Sequence, residues 1–228
     1  MILAVTLPKY FVEPYYITYH SLILIALLLS CFSYKRCSKT ILFLMLVLMA
    51  TFIVESITGY VIINNKKGFG WIYHIYNPFE YTLFCLYYLR NCNNSKYKSL
   101  VAWSIPLFIL FGLYVSFFMY HFKSLPALNI DVEGLLLFII YTHLLFNVNV
   151  GSKMFIYMHP DFWISSGILI FFGGVFVLFG LYPLLNHLDD KATMNLFDMI
   201  AKPLNIILYN FFIIGFIWII RNKKYSIQ

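Results

Sequence analysis

Apolar residues fill seven long stretches of this chain, near 15–33, 41–63, 71–89, 99–120, 132–149, 162–184 and 196–220, with short polar segments between them. About 20 apolar residues is the length an α-helix needs to cross hydrocarbon. The pattern predicts an all-α polytopic membrane bundle of seven transmembrane helices, forming a single integral membrane domain over residues 1–228. An open sheet is excluded there, because hydrocarbon offers no partner to unpaired backbone groups. The fifth stretch is diluted by Thr142, His143, Asn147 and Asn149. Met1 to Val5 lacks the basic and apolar regions of a cleaved signal, so the first helix is expected to remain.

Composition agrees with a bilayer setting. Of 228 residues, 62% are apolar and 11% are charged, against about 25% charged in an ordinary soluble domain. Mean hydropathy is +0.81. The net charge of +7 comes from basic residues in short groups between apolar runs, which is not the single patch that binds nucleic acid.

Their distribution predicts an orientation. With the N-terminus outside, Lys35, Arg36, Lys39, Arg90, Lys96, Lys98, Lys153, Arg221, Lys223 and Lys224 fall on the cytoplasmic side. Lys9, Lys66, Lys67, Lys123, Lys191 and Lys202 fall outside, and an excess of Lys and Arg marks the inner face. Cys31, Cys37, Cys85 and Cys92 then lie at inner ends, where thiols stay reduced. Glu13, Asp131, Asp189, Asp190 and Asp198 lie outside. The topology is N-out, C-in. Seven helices also admit a three, one, three division. In helices three and seven, Tyr76-Asn77-Pro78-Phe79 echoes Tyr209-Asn210-Phe211-Phe212.

Ionisable groups within a span are costly, so each asks for a reason. Thr51, Glu55 and Thr58 follow the 4, 3 spacing of one helical face, and Tyr73, Asn77, Glu80, Phe84 and Tyr87 keep it on the next helix. Asp198, Lys202, Asn205 and Tyr209 begin a third stripe. Three stripes at one depth predict a shared pocket in the outer half. Its candidate ligand-binding set is Glu55, Glu80, Asn77, Thr51, Tyr73, Lys202 and Asn205, for a small ligand or ion. Either a carboxyl is protonated, or it is charged and answered by a cation such as Lys202. Asn77-Pro78 adds an expected local break, since proline removes a backbone donor. The structural alternative is polar glue between helices, with a simple proline kink.

Other polar residues point to structure. Glu133 beside Asp131 reads as an interfacial carboxylate at the start of helix five, with membership of the pocket as the alternative. His20, His74, His121 and His187 show no metal-ligand spacing, and neither do the cysteines, so no metal and no cofactor is expected. His143, with Asn147 one turn on, reads as an interhelical hydrogen bond. Gly167 with Gly174, and Gly173 with Gly180, recur every seven residues and predict close helix packing. Ser165 and Ser166 follow Asp161, but a nucleophile needs a base within reach, so no catalytic residue is assigned. Met194, Phe197 and Ile200 among Asp190, Lys191 and Asp198 predict an amphipathic segment on the surface or an extension of helix seven. Lys202 lies 18 residues before Ile220, too near the helix start for a retinal Schiff base.

Trp71-Ile72-Tyr73-His74-Ile75-Tyr76-Asn77-Pro78-Phe79-Glu80 and Asp161-Phe162-Trp163-Ile164-Ser165-Ser166-Gly167 resemble segments of a broad group of small seven-helix bacterial inner-membrane proteins of unassigned function. Similar helical regions occur ahead of some sensor kinases. The resemblance implies a sensor-like module in a bacterial inner membrane, and it transfers no catalytic residue. Only Arg221 to Gln228 follow the last helix, so a separate cytoplasmic signalling partner is expected beside the lipid bilayer. A small-solute or proton-coupled transporter is the alternative function, and an intramembrane hydrolase using Ser166 or His143 a third.

Overall fold

The computed structural model describes residues 14–34, 40–63, 70–148, 155–185 and 190–221, with the side chains of 62–63, 182–185 and 190–198 outside that set. Asp189, Asp190, Asp198, Met194, Phe197, His187, Cys37, Glu13 and the lysines and arginine at 9, 35, 36, 39, 66, 67, 153, 191, 223 and 224 therefore have no described side chain. Among the described residues the chain is helical and carries no strand. Its helices are α1 (Pro14–Tyr34), α2 (Ile41–Ile63), α3 (Gly70–Asn91), α4 (Ser95–Tyr114), α5 (Ala127–Phe146), α6 (Pro160–Leu185) and α7 (Asp190–Arg221). Six of the seven are long and apolar enough to cross a membrane. The diluted fifth stretch is among the six; α3 is the one that falls short.

The low hydropathy of α3 has a structural cause. Its five tyrosines each reach another helix. Tyr73 bonds Glu55 and Tyr76 stands against Thr51, both on α2, while Tyr81 pairs with Ser104 of α4. Tyr87 donates to Asp161 of α6, and Tyr88 pairs with His143 of α5. Tyr141 of α5 donates in return to the carbonyl of Phe84. Buried hydroxyls must find partners, so this helix joins its neighbours through many hydrogen bonds. Only the stripe Trp71, Ile75 and Phe79 is exposed to the outside along its first half.

Helix pairings α1/α2, α2/α3, α3/α5, α5/α6, α6/α7 and α7/α1 close a ring of six, and α4 packs outside it on α3 and α5. The helix outside the ring is thus the fourth. The exposed Leu100, Trp103, Leu107, Leu110 and Phe118 mark the outer surface of α4 and its continuation. Gly167 and Gly174 face Phe211 and Leu204 of α7, while Gly173 and Gly180 face Phe138 and Asp131 of α5. The two heptad pairs therefore seat α6 against both neighbours.

Two local expectations change, and a third is met in one of its two forms, an extension of helix seven. α3 runs unbroken through Pro78, so the proline opens no gap in the helix. α5 begins at Ala127, just after Pro126, five residues before the apolar stretch starts. α7 starts at Asp190 and spans 32 residues, roughly 48 Å at 1.5 Å per residue, which makes the segment after α6 an extension of that helix.

Candidate functional site: a carboxylate and tyrosine cavity

The interior of the ring is dry in one half, where Phe84, Phe212, Phe216 and Ile164 are buried to 2% exposure or less. The other half, at which α1, α3, α5 and α7 begin, holds a partly open cavity of about 430 Å³. Glu55, Glu80, Asn77, Thr51, Tyr73, Lys202 and Asn205 all line it. Thr51, Glu55 and Thr58 come from α2, Tyr73, Asn77 and Glu80 from α3, and Lys202, Asn205 and Tyr209 from α7. Of the stripe on α3, Phe84 and Tyr87 lie beyond the cavity, in the dry half.

Each of these two carboxylates is held by a tyrosine of α3. Tyr76 donates to Glu80 Oε1 at 2.8 Å, and Tyr73 donates to Glu55 Oε1 at 3.4 Å. The Tyr76 hydroxyl also stands 2.7 Å from Thr51 Oγ1, which lies 2.9 Å from the carbonyl of Val47. Glu80, Tyr76, Thr51 and Val47 form a chain of three contacts to which the two hydroxyls supply two protons. A third proton, on Glu80, would complete the chain, with Glu80 donating to Tyr76, Tyr76 to Thr51 and Thr51, as before, to the Val47 carbonyl.

Lys202 lines the cavity with its ammonium over the Tyr15 ring, 5.2 Å from the centroid, while tyrosine hydroxyls meet Glu55 and Glu80. Thr51 is engaged with Tyr76, whereas Asn77 Nδ2 is buried with no partner. Asn205 donates to the carbonyl of Ala201 at 3.0 Å and reaches the Tyr15 hydroxyl at 3.5 Å.

The residue that the interfacial reading misplaced is Glu133. It is 2% exposed, lines the same cavity and leaves Oε1 without a hydrogen bond. The earlier start of α5 is the reason: Glu133 lies six residues inside the helix, about 9 Å from its end. Its spacing to Leu137 and Tyr141, both fully buried, was the available signal. Glu80 is within electrostatic reach of both Glu55 and Glu133. Tyr15, Tyr19, Tyr76 and Tyr209 complete an aromatic wall with Phe171 and Phe172. Tyr76 and Tyr209 share the cavity, but Asn77 is buried and Asn210 exposed, so the echo between α3 and α7 extends only to the tyrosines.

The remaining candidates are structural. His74 bonds Ser116 at 2.7 Å and the Ser124 carbonyl at 2.9 Å, tying α3 to the connection that enters α5. His143 pairs with Tyr88 and lies 3.9 Å from the Tyr97 ring, while Asn147 caps α5 at the His143 carbonyl. Ser165 Oγ is buried without a partner, and among the described residues no histidine bonds Ser165 or Ser166. Cys85 and Cys92 are buried thiols, and Cys31 is exposed. Among the described residues no three His, Cys, Asp or Glu side chains converge closely enough to hold one metal ion. The chain matches no protein-family description, no curated protein and no solved structure.

Proposed function

We propose that this multi-pass membrane protein is a ligand-binding module of sensor type, which takes a small molecule into the cavity and reports its presence through helix rearrangement. The single observation carrying this reading is the convergence of Glu55, Glu80 and Glu133 on one partly open chamber. Carboxylates placed in a membrane interior mark functional sites by default, and pure glue between helices would leave no chamber beside them. The ligand shifts the bundle only by binding one helix arrangement better than another. By the distribution of lysine and arginine, the chamber faces away from the cytoplasm of a bacterial inner membrane. A separate cytoplasmic partner reads the signal, in keeping with the resemblance to helical regions ahead of sensor kinases.

Thiol labelling in membranes tests the chamber. A cysteine introduced at Glu133, in a chain freed of its native cysteines, should react with a small membrane-impermeant reagent from the outer side. Failure to react from either side removes the reading. The transporter alternative draws on the proton-poor chain from Glu80 to Val47, which suits a carboxyl that gains and loses a proton. In proteoliposomes it predicts solute flux coupled to pH and lost in Glu80→Gln, whereas a sensor binds without flux.

A further inference from the structure

The geometry points to a small organic ammonium ion carrying an acceptor oxygen as the class of molecule that occupies the cavity. This inference rests on the ligand-binding reading above and specifies its chemistry.

Three buried polar atoms without a hydrogen-bond partner line the chamber, Thr58 Oγ1, Glu133 Oε1 and Asn77 Nδ2, and the last two state what it lacks. Glu133 Oε1 is an acceptor without a donor, on a side chain 2% exposed, and Asn77 Nδ2 is a donor without an acceptor, on a side chain 3% exposed. Both line the cavity. A buried polar group left unmet carries its full desolvation cost, so a ligand that offers N–H to Glu133 and oxygen to Asn77 removes two penalties at once. Charge points the same way. Three carboxylates share the chamber with one ammonium, that of Lys202, so full balance requires protons or a further cation, and the carboxylates do not converge on a single metal ion. An ammonium group on a carbon frame bridges such a spacing. Tyr19, Tyr76, Tyr209 and Phe172 supply aromatic surface, which attracts a cation through the ring quadrupole. A volume of about 430 Å³ is that of an ordinary small-molecule site.

Two sets of probes differing only in charge test this on the full chain in lipid nanodiscs. One set is tyramine, its neutral alcohol tyrosol and the anion 4-hydroxyphenylacetate. The other is 5-aminopentan-1-ol, pentane-1,5-diol and 5-hydroxypentanoate. In at least one set the cation should bind about tenfold or more tightly than its neutral and anionic counterparts, the size of one charge-assisted hydrogen bond. Glu133→Gln should remove most of that preference. Asn77→Leu, which leaves the carboxylates in place, should weaken the same cation while keeping its lead over the anion, and it serves if the glutamate variant does not accumulate. Tighter binding of the neutral or anionic probe in both sets overturns the ammonium class and leaves the cavity as a site for something else. No binding by any of the six also overturns it, and the thiol labelling above then decides separately whether the cavity is a binding site at all.

Discussion

Tyr87, near the end of α3, donates a 2.6 Å hydrogen bond to Asp161 in the first turn of α6. The bond crosses the dry half of the ring, beyond the cavity, and the carboxylate also stands where a helix N-terminus favours negative charge. Tyr87→Phe removes the donor and leaves Asp161 partly buried. We expect a loss of roughly 1.5–3 kcal/mol, read as a lower thermal midpoint in nanodiscs, with cavity labelling unchanged.

A second constraint closes the cavity end. A Cβ on Gly70 would lie 2.5 Å from the Ser124 backbone carbon, the same residue whose carbonyl receives His74. Gly70→Ala forces backbone against backbone, and overpacking of this kind costs about 1–3 kcal/mol. The midpoint should fall, and proteolysis should become faster at the connection between α4 and α5.

Glu133 predicts an opposition between stability and binding. Replacing a buried, unpartnered carboxyl by a hydrocarbon of similar size removes a desolvation penalty. Glu133→Leu should therefore stabilise the protein by about 1–3 kcal/mol while abolishing cation binding. A fall in midpoint would show that Glu133 holds the helices together in the empty protein.

Acid sensitivity should have one source at the opposite end of the bundle. Burial holds the His159 imidazole below its usual range, partly opposed by Asp161, 3.7 Å away. The folded state then binds fewer protons than the unfolded one, so stability falls as pH drops through the unfolded value near about 6.5 and levels off below the folded one. His159→Gln should lose less stability than the parent protein between neutral pH and about pH 5, as measured by thermal midpoints.

Much of this arrangement is legible in spacing alone. The 4, 3 pattern of Thr51, Glu55 and Thr58, repeated by Tyr73, Asn77 and Glu80, places these groups on faces that the fold turns inward. The pattern of apolar stretches marks all seven helices, although α3 falls short of a membrane span by hydropathy. What spacing cannot carry is the partner across the gap. Tyr76 sits one turn before Glu80 in the chain, yet its role depends on Thr51 arriving from α2. Glu133 was misplaced because helix starts are set by local chemistry, here Pro126, and a five-residue error moves a side chain from the headgroups into the interior. Lys202 lies in the cavity that its stripe predicts, and the Tyr15 ring beneath its ammonium is a contact that no spacing announces.

The tyrosines of α3 bear on how such a chain enters its membrane. Of their five interhelical partners, Thr51 and Glu55 lie on α2, while Ser104, His143 and Asp161 lie on α4, α5 and α6, so more than half of this bonding awaits segments made after α3. Alone in lipid, its hydroxyls and Glu80 would be poorly served. The helix thus depends on later-synthesised companions to settle at full depth, and biogenesis of this bundle is cooperative across its two halves.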